Sequence, residues 1–412
     1  MRSFLKIIKE ELSLIIEDKS ILLTCLLAPI FYAFFVGSIY KQKDVANIPI
    51  AIVDHDHSSL SRKVGRLIDS NEKIEVIGAY SNLNDAMFLF NSLDIQGILI
   101  IPNDFEKNTL NLEGSTVELV LNNTKFLTSN DINKGVQQVI LTVAGGVRLS
   151  YLLSSKVPAE LAQQQAQPIM PVVKSIFNAT NNYGDYLLPI LLVLIIQQTL
   201  IIGFGQSVLH ELVHFKTLSD PKVNFFEFIK IFSAKGLYYY ILYASLFFLF
   251  YKVIFPYYHL DFKGSEFLHF LLSSFFILAV MVYTTLLGTF FKTAIGWTEI
   301  MAFSTYPLFL VSGYSWPIEA MPKALQVFAN LLPSTPYFTV FNKLAAQGAT
   351  LVNIKSEVIH LLLLLLLGYL MLYLRFQFIH KKRSASVEVS TAPRLFSHYR
   401  PLRILPDFQV PP

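Results

Sequence analysis

Ser20-Ile-Leu-Leu-Thr-Cys-Leu-Leu-Ala-Pro-Ile-Phe-Tyr-Ala-Phe-Phe-Val-Gly-Ser-Ile-Tyr40 is an uncharged apolar run of the length, roughly 20 residues, that carries an α-helix across a bilayer core. A long polar stretch follows it. Further apolar windows then crowd together at Tyr186–Val208, Gly236–Phe255, Glu266–Phe291, Ala294–Gly313 and Glu357–Phe378. The last contains the leucine run Leu361–Leu367, where roughly 0.5 kcal/mol per leucine gives about 3.5 kcal/mol toward insertion, enough to offset about one central charge. The windows predict six crossings. The fold class is therefore a membrane α-helical protein with six transmembrane helices and an α/β extracytoplasmic domain inserted between helices 1 and 2.

Composition agrees. Hydrophobic residues make up 53% of the chain and charged residues 15%, with mean hydropathy +0.49, which exceeds the usual soluble domain. The net charge of +4 resides partly in Lys381, Lys382 and Arg383 after the last window and in Arg394, Arg400 and Arg403 of the tail. Placed there, it is a topology signal rather than a nucleic-acid surface, and it predicts a cytoplasmic C-terminus. An even number of crossings puts the N-terminus on the same side, where Arg2, Lys6, Lys9 and Lys19 are interleaved with Glu10, Glu11, Glu17 and Asp18. The first window is too long, and lacks the small-residue cleavage site, for a removable signal peptide, so it is expected to stay as an anchor. Cys25 is the only cysteine. No intramolecular disulfide can staple the external domain, which must fold on its own core.

Residues 1–19 read as a cytoplasmic amphipathic helix on the membrane face, with Phe4, Leu5, Ile7, Ile8, Leu12, Ile15 and Ile16 at helical spacing. A continuation of the first span, 20–40, is the alternative. Within 41–185, strand-type runs at Ile48–Val53, Ile74–Ile77, Gly97–Ile101 and Val117–Leu121 alternate with helical stretches at Ser58–Asp69 and Leu83–Leu93. That alternation reads as a small α/β domain. Asn103-Asp104-Phe105 suits a helix start and Asn122-Asn123 a turn. A long helix over Ser129–Leu161 then leads into a Gln- and Pro-rich return to the membrane. The five-span region, 186–378, is expected to carry a cytoplasmic loop at 209–235 with a short amphipathic helix. It also carries an external proline-rich segment at 314–345 that dips into the outer leaflet, its breaks buried in protein or wetted. Residues 379–412 read as a cytoplasmic, disordered tail.

Several motifs carry chemistry on their face. His210-Glu211-Leu212-Val213-His214 matches H-E-x-x-H, in which two histidines one turn apart bind zinc and the glutamate acts as general base. A third ligand is required, and Glu227, Asp261 and Glu266 do not fall at an arguable spacing. Asp54-His55-Asp56-His57 gathers potential ligands after a strand, but adjacent residues rarely all face one ion. The simpler reading gives an aspartate and Ser58 or Ser59 to capping the next helix. No metal site is expected. No G-x-x-x-x-G-K-[ST] loop exists, so this chain has no phosphate-binding loop of that type and the energy source lies elsewhere. Glu299 is the ionisable residue read at membrane depth, a functional-site hypothesis by default. With Phe303 and Tyr306 it marks a candidate substrate path, although aromatic residues in spans also serve as packing and interfacial anchors.

Ser312-Gly313-Tyr314-Ser315-Trp316-Pro317-Ile318-Glu319-Ala320-Met321-Pro322, continued through Gln326 to Leu332-Pro333-Ser334-Thr335-Pro336, resembles the signature of ABC transporter permeases with the type-2 transmembrane domain. The signature positions are Ser312, Gly313, Pro317, Met321, Pro322, Pro333 and Pro336. Pro49–Asp54, Ser58–Arg62 and Gly97–Phe105 resemble the external domain of that family's drug-efflux-like subgroup, which carries a large periplasmic domain. The resemblance reaches to about Arg383. It implies a permease subunit of an ATP-driven exporter in a bacterial inner membrane, moving a small amphiphilic or drug-like substrate, with ATP and magnesium held by separate cytoplasmic ABC ATPase subunits. It also implies a homodimer, or a heterodimer with a sister permease, in membrane lipid, and a periplasmic adaptor protein. The family's ATPase-docking loop corresponds here to Glu211, Thr217, Leu218 and Pro221, with Phe215-Lys216 standing where an acidic residue and a glycine are expected. Two other classes compete: a membrane zinc protease built on His210, Glu211 and His214, and a sensor whose external domain binds a ligand.

Overall fold

The computed structural model describes residues 3–43, 45–167, 176–178, 182–214 and 223–391. The chain divides into two compact units, one comprising Gln42–Gly184 and the other Met1–Lys41 with Asp185–Pro412.

The Gln42–Gly184 unit is built on a four-stranded sheet. In chain order it runs β1 (Ile48–Asp54), a helix Ser59–Asp69, β2 (Ile74–Tyr80), a helix Leu83–Asn91, β3 (Gly97–Ile101), a short helix Phe105–Leu110 and β4 (Glu118–Leu121). The strand order is β2-β1-β3-β4, with β1 parallel to β2 and β3 and β4 antiparallel to β3. Because strand side chains alternate between faces, Ile48, Ile50 and Ile52 join Leu99 and Ile101 against Leu60, Val64 and Ile68. Ala51, Val53 and Ile98 face the other way, onto Ala86 and Ile95. The long helix Phe126–Ser154 lays Ile132, Val136 and Val143 on the first of these cores, and the chain then breaks through Ser155–Pro158 into Ala159–Ala166.

The other unit is helical. Helix α1 (Phe4–Glu17) ends at Asp18, whose extended backbone separates it from α2 (Lys19–Ile39) while its carboxylate caps the new helix. Then come α3 (Tyr183–His214), α4 (Phe225–Tyr257), α5 (Glu266–Gly288), α6 (Ala294–Val311), α7 (Lys323–Asn330), α8 (Ser334–Gln347) and α9 (Lys355–Thr391). Helices α2 and α4 each contain a π-turn, Leu23–Leu27 and Phe250–Ile254, just before Pro29 and Pro256. A proline ring clashes with the carbonyl four residues back, and a widened turn absorbs that clash without ending the helix.

Three expectations change. The span read at 209–235 as a loop carrying a short amphipathic helix is helical up to His214, and the helix that begins at Phe225 runs on without a break into the next span. Residues 379–391, read as tail, continue α9; the rest of the tail lies outside the described residues. Helix α1 is separate from the first span, but it is docked: Ile7 and Ile15 are buried in the helical core, while Leu5 and Ile16 stay exposed.

Seven described helices are long and apolar enough to cross a membrane, one more than the sequence windows predict. The additional one is Phe126–Ser154, with mean hydropathy 1.3. Of its apolar residues, Ile132, Val136 and Val143 are buried in the core that includes the sheet, while Leu127, Leu141, Tyr151 and Leu153 stay exposed.

Candidate functional site

The same face of α1 that carries Ile7 and Ile15 also carries Glu11, at i+4 and i−4, so docking the helix takes a carboxylate into the core. Along α4 the inward residues Phe228, Ile231 and Phe232 lead to Lys235. Glu11, Lys235 and Glu211 are 1%, 3% and 0% exposed. Lys235 pairs directly with Glu11 and lies 3.7 Å from Glu211 Oε2. Ser207 donates to Glu11 at 2.5 Å and Tyr239 at 3.1 Å. Burying an ion costs several kcal/mol unless it is paired and hydrogen-bonded. This cluster meets that condition, and it ties α1, α3 and α4 to one another.

Beside it a cleft of about 460 Å³ opens between the α1–α2 junction, the end of α3 and the start of α6. His210 and His214, one turn apart on α3, line it with ring centroids 4.5 Å apart. Gln206 donates to Thr298 at 2.8 Å, and Lys292 and Glu299 stand on the α6 side. From Glu299 the exposed face of α6 continues through Phe303 and Tyr306, 81% and 68% exposed. These three share one helical stripe, at i, i+4 and i+7. Glu299, Phe303 and Tyr306 thus lie on one surface, apart from the Glu11 cluster.

Helix α6 hangs on α3 through polar links. Trp297 Nε1 donates to the Ile201 and Ile202 carbonyls at 3.1 and 3.3 Å, and the Gln198 amide donates to the Met301 carbonyl. At Gly205 a Cβ would lie 2.2 Å from the Trp297 ring, so the close approach requires glycine. At the far end of α6 the family-like segment closes the connection. Ser312 is buried and donates to the Phe309 carbonyl at 2.6 Å. Gly313 has φ +86°, and Ile318 fills the space a Cβ would need. Pro317 precedes the Ile318–Ala320 turn, and Met321 is buried ahead of Pro322, which precedes α7. Pro333 precedes α8, and Pro336 lies in its first turn, where no intrahelical donor is lost. Tyr186 and Tyr314 stack with centroids 5.0 Å apart, and each hydroxyl donates to the other's carbonyl, Tyr186 at 2.7 Å.

The two metal-like motifs have other partners. Asp54 accepts from the Asp56 and His57 amides and from Ser61 Oγ. Asp56 accepts from the Phe105 and Glu106 amides at 2.9 and 3.0 Å, and Ser58 caps the helix Ser59–Asp69. Burial raises the Asp56 carboxyl pKa, but bonds from Ser58, Glu106 and Phe105, with His57 nearby, hold it below its ordinary value. In H-E-x-x-H the histidines face the cleft while Glu211 faces Lys235. Thr217, Leu218 and Pro221 lie outside the described residues. Glu11 and Lys235 were not singled out by sequence reading, although a lone carboxylate at the i+4 and i−4 positions of an apolar stripe was the available signal.

A search of curated proteins gives no match. The family model described as ABC-2 family transporter protein matches residues 19–375. That span holds every crossing window up to Arg375 and the segment Ser312–Pro336, and the chain belongs to the ABC-2 transporter family as a multi-pass membrane permease.

Proposed function

We propose that this permease is the membrane subunit of an ATP-driven exporter that moves a small amphiphilic substrate out of the cytoplasm. Family membership implies a cytoplasmic ABC ATPase as partner, with ATP and magnesium bound there. The observation that carries the coupling is the Glu11–Lys235–Glu211 cluster. It joins α1 to the two helices that flank 215–222, the stretch containing Thr217, Leu218 and Pro221. A push on that stretch by closing ATPase subunits would be transmitted to α1, α3 and α4 together.

On this reading six helices cross the bilayer of a bacterial inner membrane and both termini are cytoplasmic. The Gln42–Gly184 unit is extracytoplasmic, and Phe126–Ser154 belongs to it, since Ile132, Val136 and Val143 are part of that unit's core. The subunit works as a homodimer or with a sister permease, with the path along Glu299, Phe303 and Tyr306 at the dimer interface, and a periplasmic adaptor extends the route. Photo-crosslinkers at Thr217 or Pro221 are expected to capture an ATP-hydrolysing subunit, and crosslinkers in the Gln42–Gly184 unit are not. Capture only from the latter would reverse the topology and remove the proposal.

A further inference from the structure

Resting on the export reading, we infer that the cleft beside α6 binds a zwitterionic headgroup, a phosphate bearing an amine, of an inner-leaflet lipid-like amphiphile whose tail lies along α6. The cleft holds opposite charges that nothing else satisfies. Among the described residues, neither the Lys292 ammonium nor the Glu299 carboxylate has an ion-pair or hydrogen-bond partner, whereas Asp18 is taken by the Ser20 amide. Lys292, with the His210 and His214 imidazoles, supplies donors suited to a phosphate, and Thr298 and Gln206 add neutral polar groups. Glu299 supplies the acceptor for an ammonium.

A purely anionic ligand would meet Glu299 as a like charge, and a purely cationic one would meet Lys292. A ligand carrying both charges satisfies both. The volume, about 460 Å³, lies in the range of roughly 300–1,000 Å³ common to small-molecule sites. The tail follows from the stripe: Ile295, Phe303 and Tyr306 are 73%, 81% and 68% exposed and share a face with Glu299. That is an apolar track starting at the charged cleft, which is the shape of an amphiphile and not of free phosphoethanolamine.

The test is equilibrium binding of dihexanoyl phosphatidylethanolamine to the purified full chain in detergent. Lys292→Ala and Glu299→Gln, both at exposed side chains, should each weaken binding about tenfold, the loss of one charge-assisted contact. Dihexanoyl phosphatidic acid, which lacks the amine, should lose nothing on Glu299→Gln and should bind more tightly once the like charge is removed. Phe303→Ala should weaken the lipid but not free phosphoethanolamine, which should bind more weakly throughout. Binding that ignores both charge variants, that depends on only one of them, or that is as tight for free phosphoethanolamine overturns the proposal. A Phe303→Cys disulfide between two copies that lipid leaves undiminished would give the stripe to a second copy and overturn the tail track. Association with the ATPase, scored in the same preparations, reports separately on the export reading.

Discussion

Lys235 stands between two buried carboxylates, and its removal would leave both uncompensated. Lys235→Ala is expected to destabilise the chain by about 3–5 kcal/mol, as breaking a buried pair does. The double variant Glu11→Gln/Lys235→Met should recover the part of that loss due to Glu11, Glu211 remaining buried without Lys235, and thermal unfolding in detergent of the single and double variants measures the coupling. Equal losses in Lys235→Ala and the double variant would show that the charges are not interdependent. In the Gln42–Gly184 unit, Asp56 has its carboxyl held below the ordinary value by the bonds it accepts. Because its folded-state pKa is depressed, the stability it contributes is present above the ordinary carboxylate range and fades as pH falls through the depressed value. Asp56→Asn should therefore speed hydrogen exchange in Phe105–Leu110 at neutral pH, and the difference from wild type should shrink in acid. Residue roles were the least legible level. The sequence showed Glu211 as half of a zinc motif, and only the fold reveals that it turns to Lys235 while the flanking histidines turn to the cleft.

Among the elements, α6 is the one most exposed to rearrangement, since it is held to α3 by a few polar links and a small apolar contact of Leu209, Trp297 and Met301. Between transmembrane helices close packing replaces hydrophobic drive, so the Gly205–Trp297 contact carries much of that pairing. Gly205→Val should push the helices apart and lower the melting temperature by several degrees, whereas Gly146→Ala, where nothing lies near the added carbon and Ala is the better helix former, should not lower it. At the other end, Tyr186→Phe/Tyr314→Phe removes two hydrogen bonds, each contributing about 1 kcal/mol. Faster hydrogen exchange confined to the Ser312–Pro322 connection is the expected readout, and unchanged exchange would deny the clasp its role. The elements of the α/β unit were largely legible because strand and helix periods differ sharply: Gly97–Ile101 coincides with its strand, and the Ser58–Asp69 and Leu83–Leu93 readings fall within two residues of their helices. The continuity of α4 was not legible, since a short amphipathic helix was read in 209–235 apart from the window Gly236–Phe255. Glu227, Lys230 and Lys235 break the apolar run at Phe225–Lys235, whereas in the fold Asn224 caps this stretch and Phe228, Ile231 and Phe232 are buried along with Lys235, which pairs with Glu11.

At the scale of the whole molecule, hydropathy alone does not separate a crossing helix from an apolar helix committed to a sheet. Phe126–Ser154 passes the same test of length and composition as the other six helices, and the proposal that it lies outside the membrane rests on Ile132, Val136 and Val143 joining the core of the Gln42–Gly184 unit. Cys25 is buried and is the only cysteine, so cysteines introduced singly into a Cys25→Ala background report topology cleanly. A cysteine at Ser150 should react with a membrane-impermeant maleimide from outside, and one at Lys381 only after the membrane is opened. The decisive measurement is the ATP hydrolysis of the affinity-purified chain taken from its native membrane, with alanines at Thr217, Leu218 and Pro221 as the comparison. The account predicts a co-purifying subunit whose magnesium-dependent hydrolysis is recovered with the wild-type chain and lost with the alanine variant, while the variant keeps its own melting temperature. A chain that purifies without any ATPase, or whose ATPase association ignores those three residues, would contradict it.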